Sequence, residues 1–413
     1  MSPDSLSNSA NLAEPLFIND LPALRRFCQT LQGETLLAFD TEFISERTYT
    51  PQLELVQIAT RTGTVAVVDY GAIGGGNDDP LGPILRDPNI LKIFHAAHQD
   101  LVVLAPVAGQ PLSGIWDTQL AIELFPYSGG ASYGAVVESL LGHRVAASQS
   151  LTDWSKRPLT PRQMQYAAED VRHLIPLYDK QRSILQELGR LTWAEEECEH
   201  LTTSVAKAMA ARADKSNLHE TVNGAQRLDR RSLAILLELA IWRDEEARRR
   251  NRPLRSILKD DVLVQIARRA PRHQSQLDEF RAINPDQRRI IGPELIDAVQ
   301  RGKQIPEQEC PPLLESEPML TDDQAALTSL LAAVIQQLAR KHGVSSTMLA
   351  TKGDLKSLVA SHEQGTHQLS PVLTGWRGEM AGSELLMIMN GATAVRWDPS
   401  AGSLVLDKNE PLS

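Results

Sequence analysis

Hydrophobic periodicity changes twice along these 413 residues, and those changes limit the fold more than any single motif. Between positions 35 and 70 the apolar side chains fall in short runs or alternate with the period of a strand. Thr35–Phe39 is a brief apolar run, Leu53–Ala59 alternates, and Thr64–Tyr70 follows an Arg-Thr-Gly turn at 61–63. A Gly/Asp/Pro loop at 71–80 breaks the pattern, and Leu91–Phe94 reads as a further strand entering a helix near His98–Asp100. Helical spacing dominates from Ala131 to about Ala213, punctuated by Pro161 and Pro176. Strands first, then mixed elements, then helices predict an α/β domain of about 200 residues.

From Leu228 onward the pattern holds no convincing strand. Leu233, Leu236, Leu237 and Ala240 share one helical face, continued through Trp242 to Arg248, Arg249 and Arg250, and Pro253 stops that helix. Asp260 or Asp261 caps a second helix that Pro271 closes, and Gly292-Pro293 predicts the start of a last one over Glu294–Arg301. Residues 304–320 are rich in Pro and Glu and read as a linker. A Thr321-x-x-Gln324 capping box then opens an Ala/Leu-rich helix ending at Gly343. Met348–Ala350 followed by Asp354–Val359 echoes Ile257–Lys259 followed by Asp261–Ile266, a faint second copy of the first bundle. The expected division is a disordered tail at 1–15, an α/β domain at 16–213, a helical bundle at 222–303, a linker at 304–320, a second helical bundle at 321–395 and a tail at 396–413.

A chain of this length exceeds the usual single domain. It contains no uninterrupted apolar stretch of about eighteen residues, which argues against a membrane span. The Ser- and Asn-rich start at 1–11 lacks the basic-then-apolar order of a secretion signal. Cys28, Cys198 and Cys310 have no metal-binding spacing, so the expected compartment is a reducing cytoplasm. Net charge is −10, yet residues 211–310 hold 20 basic against 16 acidic side chains while the remainder holds 22 against 36. A basic module joined to acidic ones fits capture of a polyanion by one part and chemistry in another, although an Arg-rich solvated helix surface has the same signature. Nothing points to a coiled coil or an obvious interface, so a monomer is the default.

Three short motifs carry the chemistry: Asp40-Thr41-Glu42, His98-Gln99-Asp100 and Tyr166-Ala167-Ala168-Glu169-Asp170. Asp40 and Glu42 are two apart on a strand, where the apolar run Leu36–Phe39 ends, so both leave the same face. A first-turn acid favoured by the helix dipole is the plainer account of Asp100 alone. Tyr166 and Asp170 are four apart in a helical segment, Arg162–Leu177, and share a face one turn apart. Carboxylates converging from separate segments repel one another unless cations lie between them. Two divalent ions about 3.5–4 Å apart are the usual apparatus for cutting phosphodiesters. An all-oxygen donor set suits Mg²⁺ or Mn²⁺; zinc would ask for grouped His or Cys. His95 and His98 have no such partners and read as residues that pack or that support a ligand from behind.

Taken together, the three segments resemble the exonuclease motifs of the DEDD superfamily, in its tyrosine-containing subgroup, on the ribonuclease H-like fold. The stretches Thr48–Ile58, His95–Leu101, Trp116–Ala121 and Asp153–Leu159 are similar to the bacterial ribonuclease D family in particular. Trp242-Arg243-Asp244 with Arg252-Pro253 resembles its HRDC domain, and Gly375-Trp376-Arg377 its second, HRDC-like domain. One departure is Ala146-Ala147-Ser148, where many relatives carry a basic residue; a Gly/Asp insertion at 74–79 is another. The resemblance implies a mixed sheet flanked by helices, then two small all-α bundles. It implies a 3′-5′ exoribonuclease that releases 5′-nucleoside monophosphates with two Mg²⁺ or Mn²⁺ ions. In that scheme Asp40 bridges both ions, Glu42 and Asp170 complete the first, Asp100 holds the second, and Tyr166 orients the attacking water. The implied substrate is RNA with a free 3′ end, tRNA precursors included, its body held by Arg248, Arg249, Arg250 and Arg252 through phosphate contacts. A DNA 3′-5′ exonuclease, or a non-catalytic RNA-binding module on the same scaffold, is the alternative.

Overall fold

The computed structural model describes residues 14–76, 78–126, 131–145, 152–314, 318–363, 365 and 370–408. The expected N-terminal tail, apart from its last two residues, and the Ala146-Ala147-Ser148 departure lie outside them. The chain divides into two compact units, each discontinuous in sequence. The first takes residues 1–115, 146–175 and 199–316; the second takes 116–145, 176–198 and 317–413.

Six strands form one sheet: β1 (Leu16–Ile18), β2 (Leu36–Ile44), β3 (Gln52–Thr60), β4 (Val65–Asp69), β5 (Leu91–Phe94) and β6 (Ile115–Asp117), in the order β1-β4-β3-β2-β5-β6. β3 runs antiparallel to β2 and β4, whereas β1 pairs with β4 and β2 with β5 in parallel. The sheet is therefore mixed. Leu37 and Phe39 of β2, Val56 and Ile58 of β3, and Phe94 of β5 join Leu101 and Leu104 of the helix His98–Ala108 in one core. The alternation in β3 predicts one wet face, but Glu54 and Gln57 are only 3% and 0% exposed. A strand in mid-sheet covered on both sides has no wet face: Glu54 meets Arg157 inside at 3.5 Å, whereas both amide atoms of Gln57 are buried without a hydrogen-bond partner among the described residues.

β2 corrects one expectation. The apolar run expected over Thr35–Phe39 stops at the acids, but the strand continues through Asp40 and Glu42 to Ile44. Pairing with β5 stops at Ala38 opposite Ile93, while pairing with β3 continues to Ile44 opposite Gln52. From Asp40 onward β2 has therefore lost one neighbour, which leaves an opening beside the two acids. Two helices reach this part of the sheet: His98–Ala108 packs on β2 and β3, and Pro161–Arg172 on β2, β3 and β4. The second is started by Pro161 at its first position and a Thr160–Gln163 capping box. It ends at Arg172, short of the expected Leu177, and a new helix, Leu174–Glu187, follows.

The helical part of the first unit is built on Arg230–Arg250, with Leu254–Ile257, Asp260–Arg269 and Pro285–Gln304 packed around one apolar core. The last of these corrects the start predicted at Gly292-Pro293. Asn284 forms a capping box with Gln287, so the helix begins at Pro285 and carries Pro293 inside it. In the second unit, Asp322–His342 repeats the 21-residue length of Arg230–Arg250. Each ends in a left-handed residue, Asn251 at φ 49° and Gly343 at φ 61°. A four-residue helix then leads through an extended residue, Leu258 or Ala350, into a longer helix.

A second correction concerns the end of the chain. β7 (Thr393–Asp398) and β8 (Ser403–Lys408) form an antiparallel hairpin, so strands do occur beyond Leu228 and residues 396–408 are not a loose tail. The second unit is tied together by a buried ion pair and by stacking. Arg377 grips Glu197 bidentately at 2.6 and 2.8 Å, Trp376 donates to the same carboxylate at 3.0 Å, and Trp193 stacks on Trp376.

Gly302 is the tightest crossing in the first bundle, since a Cβ there would lie 2.5 Å from Ile235 Cα. Backbone cannot yield as a flexible side chain would. Gly302→Ala is expected to destabilise the bundle by about 1–3 kcal/mol, the usual range for overpacking, seen as a lower midpoint in chemical denaturation. An unchanged midpoint would show that the helix crossing is looser than drawn.

Candidate metal centre

Asp40, Glu42 and Asp170 each present a carboxylate oxygen within 4.8 Å of the others. Among the described residues no His or Cys joins this group. All three are partly buried. Asp40 and Glu42 come from β2, Asp170 from the helix Pro161–Arg172, and Tyr166 one turn earlier hydrogen-bonds the Asp170 carboxylate. Asp100 is not one of the three. It sits buried in the first turn of His98–Ala108 and is tethered to β2 by Thr41, whose hydroxyl donates to Asp100 Oδ1 at 2.5 Å. The chain reaches that helix through Ala96, held at φ 62°, a left-handed conformation that costs an alanine about 1–2 kcal/mol. His98, the first residue of the helix, is exposed.

The electrostatics are those of acids without a counter-ion. Burial raises the pKa of Asp40 well above the carboxylate range, and the charges of Asp100, Asp170 and Glu42 raise it further. Glu42 is pushed up to about 9 by burial, then by Asp170 and Asp100. Asp170 rises to about 7 through burial, opposed by the hydrogen bond from Tyr166 and aided by Glu169. No Lys or Arg contributes to any of these shifts. Asp100 thus lies close enough to act on Asp40 and Glu42 through its charge while standing outside the trio. Oxygen-only donors, clustered and starved of positive charge, fit a hard divalent cation.

Residues around the cluster emerge only in three dimensions. Arg157 clamps Asp69 through Nε and Nη2 at 2.5 and 2.6 Å, reaches Glu54 at 3.5 Å, and donates to the Trp154 carbonyl at 2.5 Å. Trp154, 2% exposed, stacks on the Tyr166 ring with centroids 6.1 Å apart. One signal for this clamp was available in sequence: Glu54 and Asp69 are acids in otherwise apolar strands, and a buried acid demands a buried cation. A cavity of about 390 Å³ opens beside Glu42, lined also by Arg47, Asp153 and Trp154.

The arginines expected to hold RNA are largely engaged within the chain. Arg248 reaches Asp244 at 3.3 Å and the Tyr49 hydroxyl at 3.1 Å, and Arg249 and Arg250 both pair with the buried carboxylate of Glu246. Arg252, beyond the helix end, is exposed.

An acidic trio fed by a mixed sheet and a tyrosine-bearing helix defines the class, a metal-dependent 3′-5′ exonuclease, and a 3′-5′ exonuclease family model matches residues 15–186. An HRDC domain model matches residues 232–299. The chain is 31% identical to ribonuclease D of Granulibacter bethesdensis over 94% of this chain and 95% of that protein. It is 33% identical to ribonuclease D of Nitrobacter hamburgensis over 90% and 94%. The crystal structure of Escherichia coli RNase D superposes with a TM-score of 0.78 at 28% identity, covering 92% of this chain and 99% of that one. The chain belongs to the ribonuclease D family, and it is a metal-dependent 3′-5′ exoribonuclease. Among the described residues no helix is long and apolar enough to cross a membrane.

The raised carboxylates couple stability to metal. A group whose folded pKa is raised adds stability below its unfolded pKa and loses it as pH climbs through the folded value. For Glu42 that window runs from 4.5 to about 9 in the metal-free protein. A divalent cation replaces the proton and restores the lost stability. The rise in Tm on adding Mg²⁺ is therefore expected to widen between pH 6 and pH 9. Asp40→Asn should raise the metal-free Tm at high pH and remove most of the Mg²⁺ increment. An increment that stays constant with pH would argue against cation binding by these acids.

Proposed function

We propose that this exoribonuclease trims 3′ extensions from tRNA precursors and other small structured RNAs in the cytoplasm, releasing 5′-nucleoside monophosphates one at a time. The observation that carries the chemical part is the convergence of Asp40, Glu42 and Asp170 on one point with no basic side chain among them. The substrate part is supported by the likeness to the Escherichia coli enzyme, described as an exoribonuclease involved in structured RNA processing.

In this reading Asp40, Glu42 and Asp170 would hold divalent cations of the Mg²⁺ or Mn²⁺ type, two per site, with Asp100 contributing its charge from the adjacent helix. When bound, such ions lower the pKa of water and offset negative charge on the departing 3′ oxygen. The chain's own residues hold and aim. Tyr166 is fixed at both ends, by its hydroxyl on Asp170 and its ring on Trp154, so it can present that hydroxyl to the attacking water. Thr41 keeps Asp100 from turning away from β2. The RNA body would lie on exposed arginines near the end of Arg230–Arg250, Arg252 foremost, with Arg249 and Arg250 adding charge at the rim. The Arg248 guanidinium is already committed to Tyr49.

The direct test is incubation with a 3′-extended tRNA, with and without Mg²⁺, following mononucleotide release. Release should require the metal and vanish in Asp40→Asn while RNA binding persists. Parental rates in that variant, or equal rates on a DNA strand of the same sequence, would defeat the proposal.

A second experiment addresses how Tyr166 is held. Tyr166→Phe is expected to lower kcat by roughly a hundredfold, the scale of a positioned acid–base group, with little change in KM. Lysine cannot reproduce the bidentate fork, so Arg157→Lys should loosen the segment carrying Trp154 and lower kcat as well. If Arg157 works through Tyr166, it should cost little more in the Tyr166→Phe background. Fully additive losses would separate the two residues.

A further inference from the structure

Residues 45–51 leave the end of β2, three residues past Glu42, and return as β3. Ser45, Glu46 and Arg47 line the cavity beside Glu42, and Arg47 at its rim pairs with Asp153 at 3.5 Å. The course of this loop therefore shapes the cleft in which the metal-binding carboxylates stand.

Little within the loop fixes that course. The Thr48 hydroxyl donates to the Thr50 carbonyl at 2.7 Å and lies 3.4 Å from the Ile44 carbonyl. The firm attachment comes from the helix Arg230–Arg250, about 200 residues later in the chain. The Tyr49 hydroxyl donates to Asp244 Oδ1 at 2.5 Å, and the Tyr49 backbone N–H donates to Asn251 Oδ1 at 3.2 Å. Arg248 donates to the same hydroxyl at 3.1 Å and to Asp244 at 3.3 Å, closing a triangle around an aspartate only 4% exposed. The Arg248 and Arg212 guanidiniums lie 5.2 and 5.3 Å from the centre of the Tyr49 ring. Beside this knot, a cavity of about 620 Å³ separates Ser45, Thr48 and Pro51 from Leu218, Leu254 and Arg255 of the bundle. With so much space alongside, the Tyr49 contacts carry the attachment.

We propose that Asp244, Arg248 and Asn251 of the HRDC helix are positioning residues for the nuclease cleft, acting through Tyr49 to hold the loop 45–51 in the form that admits an RNA 3′ end. The proposal rests on the exoribonuclease reading and deepens it. The helical bundle then takes part in hydrolysis of every substrate, including strands too short to reach it. Arg248 serves the cleft instead of the RNA body.

The test uses the full chain, a trinucleotide RNA and Mg²⁺, with Tyr49→Phe, Arg248→Met and the double variant. If the loop populates its competent form less often, apparent affinity falls by that fraction. KM for the trinucleotide is expected to rise about tenfold in each single variant, with kcat held within roughly twofold and no further loss in the double. A merely structural anchor would lower Tm and leave KM unchanged. An RNA-gripping Arg248 would raise KM for long RNA alone and leave Tyr49→Phe silent. Either result overturns the proposal. Hydrogen exchange at the amides of 46–50 and 52 reads the same attachment without catalysis and should accelerate in both single variants. Unchanged exchange overturns the proposal by itself, whereas absence of hydrolysis by the parental chain with normal loop protection sinks only the exoribonuclease reading.

Discussion

Four carboxylates forced toward one another without a cation are the constraint around which the first unit is built. At an effective dielectric of about 20, two unit charges about 4 Å apart repel by roughly 4 kcal/mol, so the trio and Asp100 would separate if their backbones were free. They are not free. Asp40 follows Phe39, Asp100 precedes Leu101 and Asp170 precedes Val171, and these neighbours are 0%, 2% and 0% exposed. Moving any acid outward pulls a core side chain with it, at a cost of about 1.5–3 kcal/mol each for lost burial. The site is thus clamped by its adjacent core residues, and the remaining repulsion is what a divalent cation relieves.

The arginines follow the opposite logic. Several that sequence composition offers as free positive charge are used inside the protein, each answering a buried acid or an unpaired carbonyl. Arg157 answers Asp69 and Glu54, Arg249 and Arg250 answer Glu246, Arg377 answers Glu197, and Arg243 pairs with Asp260 at 2.6 Å while donating to the Leu258 carbonyl. Removing one member of such a pair leaves the other buried and uncompensated, which is why these residues hold structure firmly. A segment's charge balance therefore says little about its surface field when its acids and bases are paired with each other.

What could be read from the sequence was decided by how local its cause is. The grouping of Asp40, Glu42 and Asp170, with Tyr166 beside it, was legible because strand and helix spacing set which side chains share a face. The full length of β2 was not, because two acids in mid-strand end the apolar run that marks a strand. The hairpin β7–β8 was missed for a related reason: it is shallow, with Thr393 the one buried residue of β7 and Trp397 58% exposed, so its apolar side chains mark no core-facing stripe. Gly292-Pro293 read as a helix start because that pair usually punctuates, yet the Asn284–Gln287 box seven residues earlier had already begun the helix. Tyr49 with Asp244 was invisible, since 195 residues separate them; for the clamp the sequence offered only the acids Glu54 and Asp69 in want of a cation, and not Arg157, which lies 88 residues beyond Asp69.

The helix Arg230–Arg250 shows why those distant pairs matter to function. Its C-terminal turn collects Arg248, Arg249 and Arg250, where the macrodipole favours positive charge whether or not RNA is present. Fold stability alone therefore accounts for basic residues at that position. It does not account for Tyr49, a residue of the cleft loop, entering the same turn to share Asp244 with Arg248. The placement of Tyr49 against the bundle ties the geometry of the loop after Glu42 to a helix that sequence comparison assigns to a separate domain. The contacts accordingly place most of the nuclease sheet and the first helical bundle in one compact unit, across a boundary that no break in sequence marks.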